Sequence, residues 1–221
     1  MANYFSSNFT LGILGGGQLG KMMLYETRKF DITTHVLDPS AEAPCRIACD
    51  YFEQGSLMDF DTVYNFGKKV NVLTFEIEGV NIDALERLET EGIKVFPSAK
   101  TLRNIQDKGV QKQFYKTHRI PTSPFVVFQN KNELNEALVR KELNYPFVWK
   151  SCTGGYDGKG VSIIRDAEDL IPLADGSCIA EKLIPFKNEL AVIVARNPSG
   201  EVRTYPVVEM EFHPEANQVE Y

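Results

Sequence analysis

The sequence predicts an α/β protein: a parallel sheet wrapped by helices in the first ninety-odd residues, then a second α/β region built around a glycine loop. Three observations carry that reading. Apolar strand-like runs alternate with helical stretches from Phe9 to Pro97. A turn reading Gly15-Gly16-Gly17-Gln18-Leu19-Gly20 joins the first strand to the first helix. Between Lys150 and Gly160 the chain reads Lys-Ser-Cys-Thr-Gly-Gly-Tyr-Asp-Gly-Lys-Gly, with a strand on either side.

In order, Phe9 to Leu14 is a short apolar strand, and Lys21 to Lys29 a helix. Thr33 to Leu37 is a strand ending at Asp38-Pro39. Asp59 to Phe66 reads as a helix, and Val70 to Phe75 as a buried strand that runs into Glu76-Ile77-Glu78. Asp83 to Thr90 is a helix, and Lys94 to Phe96 a strand closed by Pro97. One long helix is expected from Ala99 to His118, with Arg103, Lys108, Gln111, Lys112 and Lys116 on a face of the kind that is usually solvated. The prolines and hydroxyls of Ile120-Pro121-Thr122-Ser123-Pro124 mark a boundary. Phe125 to Phe128 is a strand, Lys131 to Leu143 a helix, and Phe147 to Lys150 the strand feeding the glycine loop. Val161 to Ile164 leaves that loop, Ala167 to Leu173 is a short helix, and Ser177 to Ala180 a strand ending at Glu181. Leu190 to Arg196 is a further strand.

The second loop points to nucleotide phosphates. Gly154, Gly155, Gly158 and Gly160 let backbone amides approach a polyanion, while Lys150 and Lys159 neutralise it. A flexible hairpin would explain the glycines but not the bracketing lysines, nor Tyr156 and Asp157 between them. Glu181-Lys182-Leu183-Ile184-Pro185 has the form of a strand, an acid and a short apolar linker, whose free backbone groups suit the edge of an adenine. Glu189 suits ribose hydroxyls. Taken singly, Glu181 and Glu189 read equally as surface charge. In the first region, Glu76 and Glu78 point to the same side at the carboxyl end of a strand, where ligand crevices open in α/β sheets. Glu76 reads as a ligand contact, and Glu78 as its support or a solvated strand end. A rival reading uses Gly15, Gly17, Gly20 and Asp38 as a dinucleotide-binding turn with its ribose-binding acid.

Composition excludes some classes. A formal charge of −6 argues against a general nucleic-acid binder or a binder of anionic membranes. No apolar run reaches membrane-spanning length, and Met1 to Asn8 lacks the pattern of a signal peptide. Four irregularly spaced cysteines fit a reduced, cytoplasmic protein. Cys45 and Cys49 are most simply small packing residues.

Together these motifs resemble the ATP-grasp superfamily. Gly-Gly-Gly-Gln-Leu-Gly at 15–20, Phe-Glu-Ile-Glu at 75–78, Gln-Asp-Lys at 106–108, Ile-Pro-Thr-Ser-Pro-Phe at 120–125 and Gly-Gly-Tyr-Asp-Gly-Lys-Gly at 154–160 look like the N5-carboxyaminoimidazole ribonucleotide synthetase family within it. Leu190 to Arg196 and Tyr205 to Glu209 match it too. The resemblance implies a Rossmann-like preATP-grasp domain over 1–97, a helical connection over 98–120, a lid subdomain over 121–185, and the start of a C-terminal ATP-grasp subdomain over 186–221. It implies a magnesium-dependent ligase of purine biosynthesis, acting on ATP, bicarbonate and aminoimidazole ribonucleotide, with no nucleic acid or membrane partner and commonly a homodimer. Lys108, Lys150, Gly155, Tyr156, Asp157, Gly158, Lys159, Gly160 and Val161 would bind the ATP phosphates, with the loop closing as a lid. Glu181, Lys182, Leu183 and Ile184 would hold adenine, and Glu189 ribose. His213 falls near a histidine that the family places by the nucleotide, and reads equally as a surface loop residue. Gln18, Leu19 and Glu76 would face the ribonucleotide, with Tyr156 and Asp157 reaching its imidazole.

The chain departs from the family pattern at Ser151, Cys152 and Val161, where basic residues and a glutamine are usual. Cys152 reads as a packed thiol, or as one made reactive by a neighbouring phosphate site. The family's magnesium-binding acids are expected beyond residue 221, so this stretch reads as a fragment with little turnover of its own. Two other readings stand beside the ligase: an NAD(P)-dependent oxidoreductase and a non-catalytic nucleotide-binding module.

Overall fold

A computed structural model of the chain describes residues 8–155 and 160–211. It divides into two compact units, Met1–Gln111 and Lys112–Tyr221.

The first unit holds a five-stranded parallel sheet. Its strands are β1 (Thr10–Leu14), β2 (Thr33–Asp38), β3 (Tyr51–Gln54), β4 (Val72–Phe75) and β5 (Lys94–Val95), in the order β3-β2-β1-β4-β5. Helices α1 (Gln18–Thr27), α2 (Phe60–Gly67), α3 (Ile82–Thr90) and α4 (Ala99–Gln106) complete it. Alternation along the strands sends side chains to both faces, and both are covered. Leu14, Leu37, Leu73 and Val95 pack with Val63, Phe66, Leu85, Leu88 and Leu102 from α2, α3 and α4. Ile13 and Val36 pack with Leu24 of α1 and with Cys45, which sits on a 3-10 turn over Pro44–Ile47. Caps set the helix starts. Asp59, Asn81 and Ser98 each accept a backbone N–H from three residues on, at α2, α3 and α4 respectively.

The second unit opens within α5 (Lys108–Thr117). Its core is an antiparallel sheet of β6 (Phe125–Phe128), β7 (Phe147–Ser151), β8 (Val161–Ile164) and β9 (Cys178–Lys182), ordered β6-β9-β7-β8. One face carries Phe128, Phe147, Trp149, Ile164, Cys178 and Ala180, which pack with Leu134 and Ala137 of α6 (Lys131–Val139) and with Leu170. The cross-strand register places Phe125, Val148, Lys150, Ile163 and Glu181 on the opposite face. Two small antiparallel pairs follow: β10 (Glu189–Ala191) with β13 (Val208–Met210), and β11 (Val194–Arg196) with β12 (Val202–Thr204).

Several elements differ from expectation: the helix expected from Lys131 to Leu143 ends at Val139, and that from Ala167 to Leu173 is a 3-10 turn over Glu168–Leu170. The single helix from Ala99 to His118 is two, because Asp107 takes an extended backbone and its carboxylate accepts the N–H groups of Gly109 (2.7 Å) and Val110 (3.0 Å) to start α5. The strand from Leu190 to Arg196 is split at Val192-Ile193, where the chain leaves the β13 pairing for the β12 pairing. The edge strand β3 is short and half exposed, so its pattern did not stand out from a loop.

Candidate active site

In the first unit the strand order reverses between β1 and β4, the place where open α/β sheets form ligand crevices. The Gly15–Gly17 turn and Glu76 lie there. Gly15 takes a φ of +96°, and a Cβ on it would come within 2.8 Å of Glu76 Cγ, so only glycine fits this turn. The turn's amides are occupied. Gly16 N–H donates to Asp38 Oδ2 at 2.7 Å, and Gly17 N–H donates to Glu76 Oε1 at 2.9 Å. Two strand-end carboxylates thus serve the amino end of α1, whose N-cap Gly17 has no side chain to do so. Asp38 Oδ1 also accepts the Ser40 N–H at 2.7 Å. Gln18 and Leu19 are exposed on the first turn of α1, and Glu76 is half-buried.

Glu78 acts through its backbone. Its carbonyl and that of Val80 (2.8 Å) both accept the Gln106 side-chain amide, which ties the loop after β4 to the end of α4, two residues before Lys108. Lys108 is half-buried at the start of α5. Cys45 and Cys49 are packing residues. Burial pushes the Cys45 thiol up to about 11, and Cys49 upward as well.

In the second unit, Lys150 and Glu181 meet on the face of the sheet opposite α6. Lys150 Nζ lies 3.1 Å from Glu181 Oε2, and Lys112 Nζ lies 3.0 Å from Glu181 Oε1. Ser123 Oγ donates to Glu181 Oε2 at 2.9 Å, and Lys112 donates to Ser123 Oγ at 3.1 Å and Thr122 Oγ1 at 2.5 Å. The Lys112 ammonium also sits 5.6 Å from the centre of the Phe125 ring. Burial alone would raise the Glu181 carboxyl. The Lys112 hydrogen bond and the Lys150 charge outweigh it and hold the group below its ordinary range.

The glycine loop springs from this cluster. Ser151 N–H donates to Gly160 O at 2.9 Å, closing the loop's base, and Gly154 and Gly160 both take a φ of +74°. Gly155 lies at the described edge of the loop, and Val161 opens β8 partly exposed. Tyr156, Asp157, Gly158 and Lys159 fall outside the described residues, as does His213. Cys152 is buried and its N–H donates to Ser177 O at 3.0 Å, which is the packed thiol expected.

Glu181 and Lys182 lie within β9, and their backbones pair with β6 and β7 rather than standing free. Lys182 N–H donates to Pro124 O at 2.9 Å. Leu183 and Ile184 lie beyond β9 outside any strand, the first half-buried and the second exposed, and Ile184 O accepts the Phe186 N–H at 2.9 Å. Glu189 is exposed on β10. Lys112 was the residue that sequence reasoning missed. Gly109, three residues earlier, is also buried, and that shared stripe was the available signal. Among the described residues no group of three or more His, Cys, Asp or Glu side chains comes together to hold a metal ion. The described residues therefore bring no ready set of acids together for a magnesium ion. No helix among the described residues is long and apolar enough to cross a membrane.

Residues 9–106 match the ribonucleotide synthetase preATP-grasp domain, and residues 113–219 match the ATP-grasp domain. The chain belongs to the ATP-grasp family. A phosphoribosylaminoimidazole carboxylase of Candida albicans is 37% identical over 209 residues, covering 90% of this chain and 36% of that protein. An N5-carboxyaminoimidazole ribonucleotide synthase of Bacillus subtilis is 33% identical over 208 residues, covering 92% of this chain and 54% of that one. The chain thus spans between a third and somewhat over half of the length of these relatives. The fold follows that of an N5-carboxyaminoimidazole synthase from Aspergillus clavatus, solved with ADP and 5-aminoimidazole ribonucleotide. That match has a TM-score of 0.84 and 33% identity, over 96% of this chain and 56% of the other.

Neither alternative reading is supported. Both ATP-grasp matches run against an NAD(P) enzyme, and the amides that a pyrophosphate would use at the first turn are held by Asp38 and Glu76. The ATP-grasp relatives are named as synthases and carboxylases rather than as binding modules.

Proposed function

We propose that this chain serves the ATP-dependent carboxylation of 5-aminoimidazole ribonucleotide to N5-carboxyaminoimidazole ribonucleotide in purine biosynthesis. The observation that carries the proposal is Lys150, paired with a buried carboxylate at the foot of a glycine loop. A bicarbonate oxygen attacks the γ-phosphorus of ATP, the bond to the β-phosphate oxygen breaks, and ADP leaves as carboxyphosphate forms. The amine nitrogen of the ribonucleotide then attacks the carboxyl carbon, phosphate departs with the bonding pair, and the nitrogen loses a proton.

In this reading Lys150 and Lys108 hold phosphate oxygens, where fixed cations offset the charge that phosphoryl transfer develops. The amides of Gly155, Gly158 and Gly160 and the Lys159 ammonium add to them, and closure of the loop keeps water from carboxyphosphate. Adenine lies against Leu183 and Ile184, and Glu189 meets the ribose. Gln18, Leu19, Glu76, Tyr156 and Asp157 take the aminoimidazole ribonucleotide. A cytoplasmic homodimer belongs to the same reading.

Calorimetry with ADP tests the nucleotide part. Lys150→Met is expected to weaken ADP at least about tenfold, the range of a charge-assisted phosphate contact. Unchanged affinity in that variant would remove the assignment, as would NAD binding that ADP does not displace. For the reaction itself, ADP release must require both bicarbonate and the ribonucleotide.

A further inference from the structure

Glu181 is paired with two ammonium groups, and one carboxylate neutralises only one of them. The two lysines are not equivalent. Lys112 is 8% exposed and Glu181 6%, so both have given up nearly all contact with water. The Lys150 side chain keeps 29% exposure at the end of β7, where the glycine loop begins. Thr122 and Ser123 hold the Lys112 ammonium in place at 2.5 and 3.1 Å, and Ser123 spans to the same carboxylate. Withdrawing Lys112 would break all of these contacts at once, whereas withdrawing Lys150 would leave Glu181 still paired. The surplus positive charge therefore resides at Lys150.

We infer that Lys112 is a positioning residue, the resident counter-ion of Glu181, which leaves the Lys150 ammonium free to turn to a nucleotide phosphate. Without Lys112, Lys150 would be the one cation left on Glu181 among the described residues, and a phosphate would have to compete with a buried carboxylate for it. Ser123 works in the same direction by sharing Glu181 Oε2 with Lys150. The inference rests on the reading of Lys150 as a phosphate ligand.

The test is ADP binding by calorimetry on this chain, with four proteins: wild type, Lys112→Met, Glu181→Gln with Lys112→Met, and Lys112→Arg. Lys112→Met is expected to weaken ADP about tenfold, while Lys112→Arg, which keeps a cation on Glu181, stays within about threefold. The decisive arm is the double variant. Neutralising Glu181 removes what captures Lys150, so the double variant is expected to bind ADP several-fold more tightly than Lys112→Met alone. A residue that merely braced the fold would not be rescued by removing a second partner. Equal or weaker binding by the double variant overturns the inference. Should Lys112→Met fail to fold, Ser123→Ala takes its place, with about threefold weakening expected and the same rescue by Glu181→Gln. A wild-type chain that binds no ADP overturns the nucleotide reading and this inference with it. Wild-type binding without rescue overturns the inference alone.

Discussion

Glu181 shows how much a single residue's role depends on its neighbours. The sequence marked it as an acid before a linker, whereas its pairing with Lys150 comes from the register of β7 against β9, which no local pattern encodes. Its burial and its second cation were not legible, because Lys112 sits in a run of charges whose helix looked solvated from end to end. The depressed Glu181 carboxyl has a consequence for acid stability. A carboxylate whose folded-state value lies below its ordinary 4.5 adds stability that is complete above that value and is lost as pH falls through the lower one. Urea unfolding between pH 7 and 3 should therefore show a drop below about pH 4.5 that is shallower in Glu181→Gln, and parallel profiles would count against it. Gly15 offers a second test at this scale. Its φ of +96° and the 2.8 Å approach to Glu76 Cγ predict that Gly15→Ala lowers the unfolding free energy by about 2–4 kcal/mol. An unchanged urea midpoint would refute the account of the turn.

Elements were more legible than single contacts, because periodicity and caps are local. The strands β1, β2 and β4 and the helices α2 and α3 follow from alternating apolar runs and from Asp59 and Asn81 at the caps. The break between α4 and α5 did not, since apolar spacing continues across it. The Asp107-Lys108-Gly109 sequence was an N-cap signal lying inside a helical pattern. Asp107→Ala should remove the cap of α5 and lower stability by about 1 kcal/mol, read from denaturant melts; no change would mean that the helix starts without it. At the second glycine loop the strands on both sides were legible. The closure by Ser151 and Gly160 across its base depends on long-range pairing that no local pattern encodes.

At the scale of the whole molecule, the two units differ in how their surfaces are spent. In the first, both faces of the sheet are covered by helices. In the second, one face is packed by α6 and the other buries Ile179 beside the charges of Glu181 and Lys112. The pairs β10 with β13 and β11 with β12 expose Leu190, Val194, Val202 and Val208, and two-stranded sheets hold together only marginally. Hydrogen exchange should therefore be fast in 189–210 and slower by at least about a hundredfold in β7 and β9; uniform protection would contradict that ranking. The α/β class and the family were legible because the glycine motifs carry them. Where the first unit stops was not, because α4 looked like a connector while Ala99 and Leu102 belong to the first core.

Trp149 is the chain's only tryptophan, and it lies 5% exposed in the second core, one residue before Lys150. The chain therefore carries a single tryptophan beside its tyrosines, and emission excited selectively from tryptophan reports on the second unit. An emission shift on heating marks the melting of the second sheet alone, whereas far-ultraviolet dichroism sums over both. The interval between those two curves gives a direct optical reading of whether the units unfold together or in turn.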